Sequence, residues 1–429
     1  MNSTINRKTL PYLIALFLLL NSCSPFNPKP IEKSDFLKRA EVISEKGPKI
    51  TVAALSAKES KKIFSRDISE KNIQPVWIKI ENDSTKPKWI FPIRTDPNYY
   101  SPAEVAYMNR FLFSQKKSNQ LLHHLKKLSI PLFIAPNKTT SGFIYTEVDP
   151  GLKYIEVATF GTDGMKNFRT VVEVPGLKAD YQQVDFKNLY TNDEYIDCNL
   201  ATLKKELQKL PCCATNKNGD KNADPLNIVL IGDMKSTITA LSSGGWDVTE
   251  VLSSGSIWRT IRSFIYGIRY RHAPVSSLYV FGRGQDAAFQ KARSTINERN
   301  HLRIWLTPLK LNGVPVWIGQ ISRDIGVKLT LKTGFLTTHV IDSDIDNDRY
   351  YLLQNLTDSK AISKIGYVKG GGESTVDNTR YNLGGDPYYT DGLRAVMECS
   401  DNPNPISKMS FFNWEFPNEV APFIDGVSD

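Results

Sequence analysis

The sequence predicts an α+β protein: an N-terminal β-sandwich of the immunoglobulin-like kind with a helical insertion, followed by a second domain of mixed strands and helices. Three observations carry this. Period-two alternation recurs between residues 49 and 175, as in Val76-Trp77-Ile78-Lys79-Ile80-Glu81, with turn signals such as Asp149-Pro150-Gly151 between the runs. After Asp224-Pro225, apolar strands and helical stretches intermix without the strict strand–helix–strand order of a parallel sheet. The length, 429 residues, suits two domains of ordinary size.

The chain opens on a leader. Arg7 and Lys8 precede an apolar run over residues 10–20, which is too short for a bilayer core that needs about 20 residues but suits a signal peptide. The run ends in Leu20-Asn21-Ser22-Cys23, which resembles the lipobox of bacterial lipoproteins, although Asn21 is not the commonest residue at its position. Residues 1–22 therefore read as a removable signal and Cys23 as the lipid-bearing residue. By the same resemblance Ser24 favours the outer over the inner membrane. Residues 23–48, rich in Pro, Ser and charge, read as a tether. The picture is a body hung in the cell envelope from a lipid anchor, in the periplasm or at the cell surface.

The formal net charge of +9 drops to +7 once the two leader cations are removed. That excess suits anionic lipid head groups and is also ordinary for a soluble protein. Nucleic acid is not an expected partner in the envelope; an anionic lipid or an envelope protein is. Cys198, Cys212, Cys213 and Cys399 remain for disulfides in an oxidising compartment, with adjacent Cys212 and Cys213 taking different partners. A zinc site is the alternative, but Cys-Cys lacks knuckle spacing.

Within residues 49–175, Ser101-Pro102-Ala103-Glu104 is a capping box with proline at the first helical position. Leu121, Leu122, Leu125 and Leu128 form an apolar stripe ended by Pro131, and His123-His124 on it read as surface positions. Residues 176–224 read as a polar, cysteine-containing connector. The second domain, 225–420, begins with a buried-type strand over residues 226–231 and a helix to about Leu241. A helix over 256–266, strands over 278–281, 301–306 and 314–321, and a helix over 344–356 follow.

Several motifs in this domain occur in a fixed order: Leu278-Tyr279-Val280-Phe281-Gly282-Arg283, His301-Leu302-Arg303-Ile304-Trp305, Pro315-Val316-Trp317-Ile318-Gly319, Arg323-Asp324, and Thr338-His339-Val340-Ile341-Asp342-Ser343-Asp344-Ile345-Asp346 with Arg349. In this order they resemble the C-terminal domain of the LssY family over roughly 225–357, with Ser343 where the family has proline. Members often carry the domain behind membrane parts of the lipid-phosphatase or DedA type. The resemblance implies a lipid or envelope context and brings no established reaction.

Read from the residues themselves, His339, Asp342, Asp344 and Asp346 are the densest set of ligands and suit a divalent metal. His301 and Arg323-Asp324 from neighbouring strands would complete a polar site, or His339 would act as a base oriented by Asp342. Against this, an acidic run leading into a helix supplies caps, and Asp348-Arg349 would pair on the surface. Arg259, Arg262 and Arg283, with Arg299 and Arg303, form a basic set suited to phosphate. Gly282-Arg283-Gly284-Gln285-Asp286-Ala287 has dinucleotide-fingerprint letters without the crossover helix, and there is no G-x-S-x-G or H-E-x-x-H. Two functions follow as expectations: a module binding an anionic or phosphorylated envelope ligand or a protein partner, and, alternatively, a metal-dependent hydrolase of phosphoester or lipid-type substrates.

Overall fold

The computed structural model describes residues 26–44, 47–250, 272, 275–292, 299–329 and 337–417, with the backbone alone at 33, 327–329 and 337–339. The chain is α+β and rich in strands, and it divides into two compact units, Met1–Gly176 and Leu177–Asp429. No helix among the described residues is long and apolar enough to cross a membrane.

The first unit carries β1 (Glu41–Ile43), β2 (Lys49–Ala54), β3 (Ile73–Asn82), β4 (Lys88–Ile90), β5 (Phe133–Ile134), β6 (Lys138–Glu147), β7 (Gly151–Gly161) and β8 (Gly164–Val174). They form two antiparallel sheets, ordered β1-β2-β3-β6 and β5-β4-β7-β8. Val76, Ile78 and Ile80 of β3 face Ile155, Val157 and Val172 of the other sheet in one apolar core. The alternate positions Trp77, Phe143 and Tyr145 turn the other way. There they pack on Ile63 and Phe64 of α1 (Ala57–Phe64), and α2 (Pro92–Thr95) precedes two further helices. Those are α3 (Pro102–Met108), which gives Val105, and α4 (Gln115–Leu128), which gives Leu121 and Leu125. β3 is thus covered on both faces, and Trp77 is buried although it sits on the polar side of the alternation.

The helices of the insertion start where their caps dictate. Glu104 N–H donates to Ser101 Oγ at 3.2 Å, and Ser101 N–H donates to the Glu104 carboxylate at 2.6 Å. His123 is exposed, but His124 is half-buried, its ring nitrogen 2.8 Å from Ile63 O and its ring edge-on to Phe64. Being next to each other on α4, the two histidines point in different directions, and the first is the more exposed.

The second unit takes in residues that read as a connector. Among them are β9 (Ile196–Cys198), α5 (Leu200–Lys209), β10 (Cys213–Thr215) and β11 (Asn222–Pro225). Then come β12 (Ile228–Ile231), α6 (Met234–Ser243), β13 (Asp247–Val248), β14 (Tyr279–Val280), β15 (Arg283–Gly284) and β16 (Ala287–Ala292). The long hairpin of β17 (Arg299–Leu311) and β18 (Val314–Leu329) follows, then β19 (Thr337–Ile341) and α7 (Ile345–Asp358). The unit closes with β20 (Ile362–Lys369), β21 (Arg380–Tyr381), β22 (Pro387–Tyr388), β23 (Leu393–Cys399) and β24 (Ser410–Phe411). The helix expected over 256–266 lies outside the described residues.

Most of these strands join one mixed sheet in the order β13-β16-β17-β18-β12-β23-β20-β24, with β9 on β17 and β19 on β18. The β17–β18 hairpin turns at Asn312-Gly313, both at positive φ, as a two-residue primed turn requires. Gly319 lies level with Ile304 and Ile228 on the flanking strands, and a Cβ there would come within 2.9 Å of the Ile228 side chain. Glycine is what lets that isoleucine fill the space.

The expected disulfides are not formed: Cys198, Cys212, Cys213 and Cys399 are not joined to one another. Cys198 packs in the core under α5 with Leu203 and Leu309. Cys212 and Cys213 are neighbours of unequal exposure, the first half-buried and the second buried.

Candidate functional site

One face of the β17–β18 hairpin changes character along its length. Starting near the turn, Leu309 and Val316 belong to the apolar core beneath α5. The paired residues Trp305 and Ile318 are apolar as well and are covered by the small sheet of β10, β11, β14 and β15. Beyond them, at the same period of two, come Arg303 opposite Gln320, His301 opposite Ser322, and Arg299 level with Asp324. Gln290 of β16 lies beside His301. All seven polar side chains are buried, Arg299 and Arg303 to within 6% of full burial. A sheet face that starts as core continues as a row of buried charge.

The row is closely bonded. His301 Nε2 is 2.6 Å from Asp324 Oδ2. Arg299 Nη1 donates to Gln290 Oε1 at 2.8 Å, while its Nε is 3.6 Å from Asp324, beyond good hydrogen-bond reach. Arg303 donates Nη1 to Gln320 Oε1 at 2.8 Å and Nε to Ser276 O at 3.1 Å. Gln320 in turn donates to Asp224 at 3.1 Å, so an amide stands between that carboxylate and the guanidinium. The indole N–H of buried Trp305, next on the face, has no hydrogen-bond partner among the described residues.

Burial sets the ionisation here. It pushes His301 down to about 4 against the pull of Asp324, so the imidazole is neutral at physiological pH. Burial raises the carboxyls of Asp224 and Asp180 and lowers Arg299 and Arg303.

The opposite face of β18 carries a second set. Arg323 donates Nε to Asn300 Oδ1 at 3.1 Å and pairs with Asp348 Oδ1 at 3.1 Å. Asp348 and Arg349 do not pair with each other on the surface; both are fully buried at the start of α7. Arg349 forms a two-point pair with Asp391, at 2.7 and 2.8 Å, and donates to Leu393 O at 2.6 Å. Burial pushes Asp348 up to about 7, with Arg323 pulling the other way.

The acidic motif goes to separate partners. Asp342 Oδ1 accepts from Asp344 N–H at 3.1 Å, and Asp344 Oδ2 accepts from Asn347 at 2.9 Å. Asp346 accepts from the Thr390 hydroxyl and Asp391 N–H, each at 2.7 Å. Among the described residues no group of three or more His, Cys, Asp or Glu is placed to hold a metal ion. The backbone of His339 pairs with Val327 in the β18–β19 ladder, and its side chain lies outside the described part. Cys23, Arg259 and Arg262 also lie outside the described residues. Arg283 is occupied: it forms a two-point pair with Asp286 at 3.0 and 2.9 Å and donates to Tyr190 Oη at 3.0 Å and Leu306 O at 2.6 Å. Of the residues singled out in the sequence, His301 and Asp324 meet, with Arg299 and Arg303 beside them, while Arg323 is directed away from them.

Gln290, Gln320 and Asp224 were not singled out in the sequence. The available signal was the spacing of 299, 301 and 303 against 320, 322 and 324, polar at every second position of two strands joined by Asn-Gly.

Residues 204–393 match the family described as LssY C-terminus. The match runs from α5 to the first residue of β23 and contains the whole polar row. No curated protein matches the chain. The second unit therefore carries an LssY-like domain, and the buried row lies at its centre.

Proposed function

We propose that this is a lipid-anchored envelope protein whose LssY-like domain binds a small anionic or phosphorylated ligand over the row Arg299–His301–Arg303. In this reading Cys23 carries the lipid, the outer membrane is the anchoring membrane, and the first unit is an immunoglobulin-like β-sandwich. One observation carries the binding role: the two buried guanidiniums hydrogen-bond to the neutral oxygens of Gln290, Gln320 and Ser276, and among the described residues no carboxylate lies within hydrogen-bonding distance of either, Asp324 standing 3.6 Å from Arg299 and Asp224 acting on Arg303 from behind Gln320. A buried cation without a full counter-charge is costly, and an anion would relieve it. Hydrolysis by a general base gains no support from His301, which at about 4 is a weak base. Metal-dependent hydrolysis gains none from Asp342, Asp344 and Asp346, each engaged on its own.

Thermal unfolding of the purified chain is measured with inorganic phosphate, glycerol phosphate, and vesicles of phosphatidylglycerol or phosphatidylcholine. A rise in Tm with phosphate or glycerol phosphate that Arg303→Gln abolishes supports the reading, and a larger rise with glycerol phosphate or phosphatidylglycerol identifies a lipid head group as the source. A rise unchanged in both Arg299→Gln and Arg303→Gln, or no rise at all, overturns it. The anchor is tested separately: fatty-acid labelling of the protein in cells is lost in Cys23→Ser, and persistent labelling rejects lipidation at that residue.

A further inference from the structure

The loop between α5 and β10 brings two thiols together away from the polar row. Cys212 is half-buried, and Cys213 behind it is 3% exposed at the start of β10. The backbone around them is fixed, with Leu226 N–H donating to Cys212 O at 2.8 Å and Cys213 paired with Pro225 across the ladder. Arg394, fully buried, lies beneath this loop. It donates Nη2 to Pro211 O at 2.6 Å, Leu210 O at 3.1 Å and Gly370 O at 2.8 Å, Nε to Leu226 O at 3.0 Å, and Nη1 to Leu207 O. Among the described residues no carboxylate pairs with it, and the acidic groups close enough to act on its charge are the two cysteines. Arg380, opposite buried Tyr388 in the β21–β22 pair, is a second cation whose charge acts on the thiols. An outer thiol, an inner thiol next to it in the chain and two guanidiniums form the arrangement in which a thiolate is stabilised and reactive.

We propose that Cys212 and Cys213 form a thiol–disulfide exchange site, with Cys212 the attacking thiolate and Cys213 the resolving thiol. The inner thiol's hydrogen bond, then Arg380 and Arg394, hold Cys212 below the usual thiol range, whereas that same bond and burial hold Cys213 above it. The oxidant is an external disulfide. The Cys212 thiolate attacks one of its sulfurs, forming a mixed disulfide and expelling the other sulfur as a thiolate. That thiolate takes up the Cys213 proton, and the Cys213 sulfur then attacks Cys212, releasing the second external sulfur, which is protonated by solvent. Two electrons pass to the external disulfide, which leaves as two thiols, and the pair closes as a vicinal disulfide.

The reduced full chain is incubated with glutathione buffers of graded ratio, and its tryptic peptides are weighed. The peptide 210–217 holds both cysteines. In the wild type it is expected to show a two-hydrogen deficit that dithiothreitol reverses, and in Cys213→Ser a stable glutathione adduct on Cys212. At pH 7 Cys212 is expected to alkylate at least about tenfold faster than Cys198, and Arg380→Gln to slow it. Circular dichroism confirms that each variant is folded. A peptide that stays reduced at every ratio, a Cys212 that alkylates no faster than Cys198, or pairing of either residue with Cys198 or Cys399 overturns the proposal. These readouts do not depend on Arg303 or on phosphate, so the site stands or falls apart from the anion-binding reading.

Discussion

The two faces of the β17–β18 hairpin both bury charge, yet they bury it differently. On one face Arg349 meets Asp391 in a two-point pair, and Arg323 meets Asp348. Each cation has its own carboxylate, and the set ties α7 to the sheet and to the loop before β23. On the other face Arg299 and Arg303 lean on glutamine and backbone oxygens, Asp324 is shared with a neutral histidine, and Asp224 is held one amide away by Gln320. The first arrangement has the economy of a structural network. The second gives neither guanidinium a carboxylate within hydrogen-bonding distance among the described residues, a poor choice for stability alone and a good one for meeting an anion.

The sharpest break of this comparison is Arg349→Met, which strands Asp391 and Asp346 without their cation. A loss of about 3–5 kcal/mol in urea unfolding is expected, and a loss under about 1 kcal/mol would put the pair outside the scaffold. Arg303→Met, by contrast, is expected to change stability by less than about 1.5 kcal/mol, or to raise it, because its direct partners are neutral oxygens. A cost equal to that of Arg349→Met would erase the distinction between the faces.

The faces also differ in pH dependence, where they have opposite signs. His301 falls from 6.5 to about 4 on folding, so the unfolded chain binds the extra proton between those values and stability is lost as pH drops through that window. Asp348 rises from 3.8 to about 7, so the folded chain holds the extra proton and stability is lost as pH climbs through its window. Each contributes at most about 1.4 kcal/mol per pH unit. Relative to wild type, His301→Gln should become more stable as pH falls from 6.5 to 4, and Asp348→Asn more stable as pH rises from 4 to 7. Stability curves for both variants that run parallel to the wild type would show that neither residue titrates as its burial demands.

The elements with strong local signals were legible in advance. The capping box at Ser101, the alternation of β3 and the leucine stripe of α4 all depend on neighbours in sequence, and local chemistry specifies them. His301 and Asp324 stood out as candidates because both lie on adjacent strand runs. What the residues did not announce was pairing at a distance. The polar stretch 176–224 gave no sign of the helix and strands it contributes, because α5 owes its place to a core shared with β17, β18 and β23. The acidic motif from Asp342 to Asp346 looked like a ligand set, since spacing alone cannot tell carboxylates that converge from carboxylates that cap.

By itself the sequence determined the α+β class, the strand periodicity, the helix starts and the resemblance of the second domain. Each of these rests on interactions between residues a few positions apart. The tertiary structure decided which charges are buried and with whom. It separated Arg303, held by amides, from Arg349, held by a carboxylate, and bonded the Leu210 and Pro211 carbonyls just before Cys212 to an arginine 184 and 183 positions away. Partnership across such a span depends on how strands stack in the sheet and on which face each side chain takes, and a single shift in register would have exchanged the two faces.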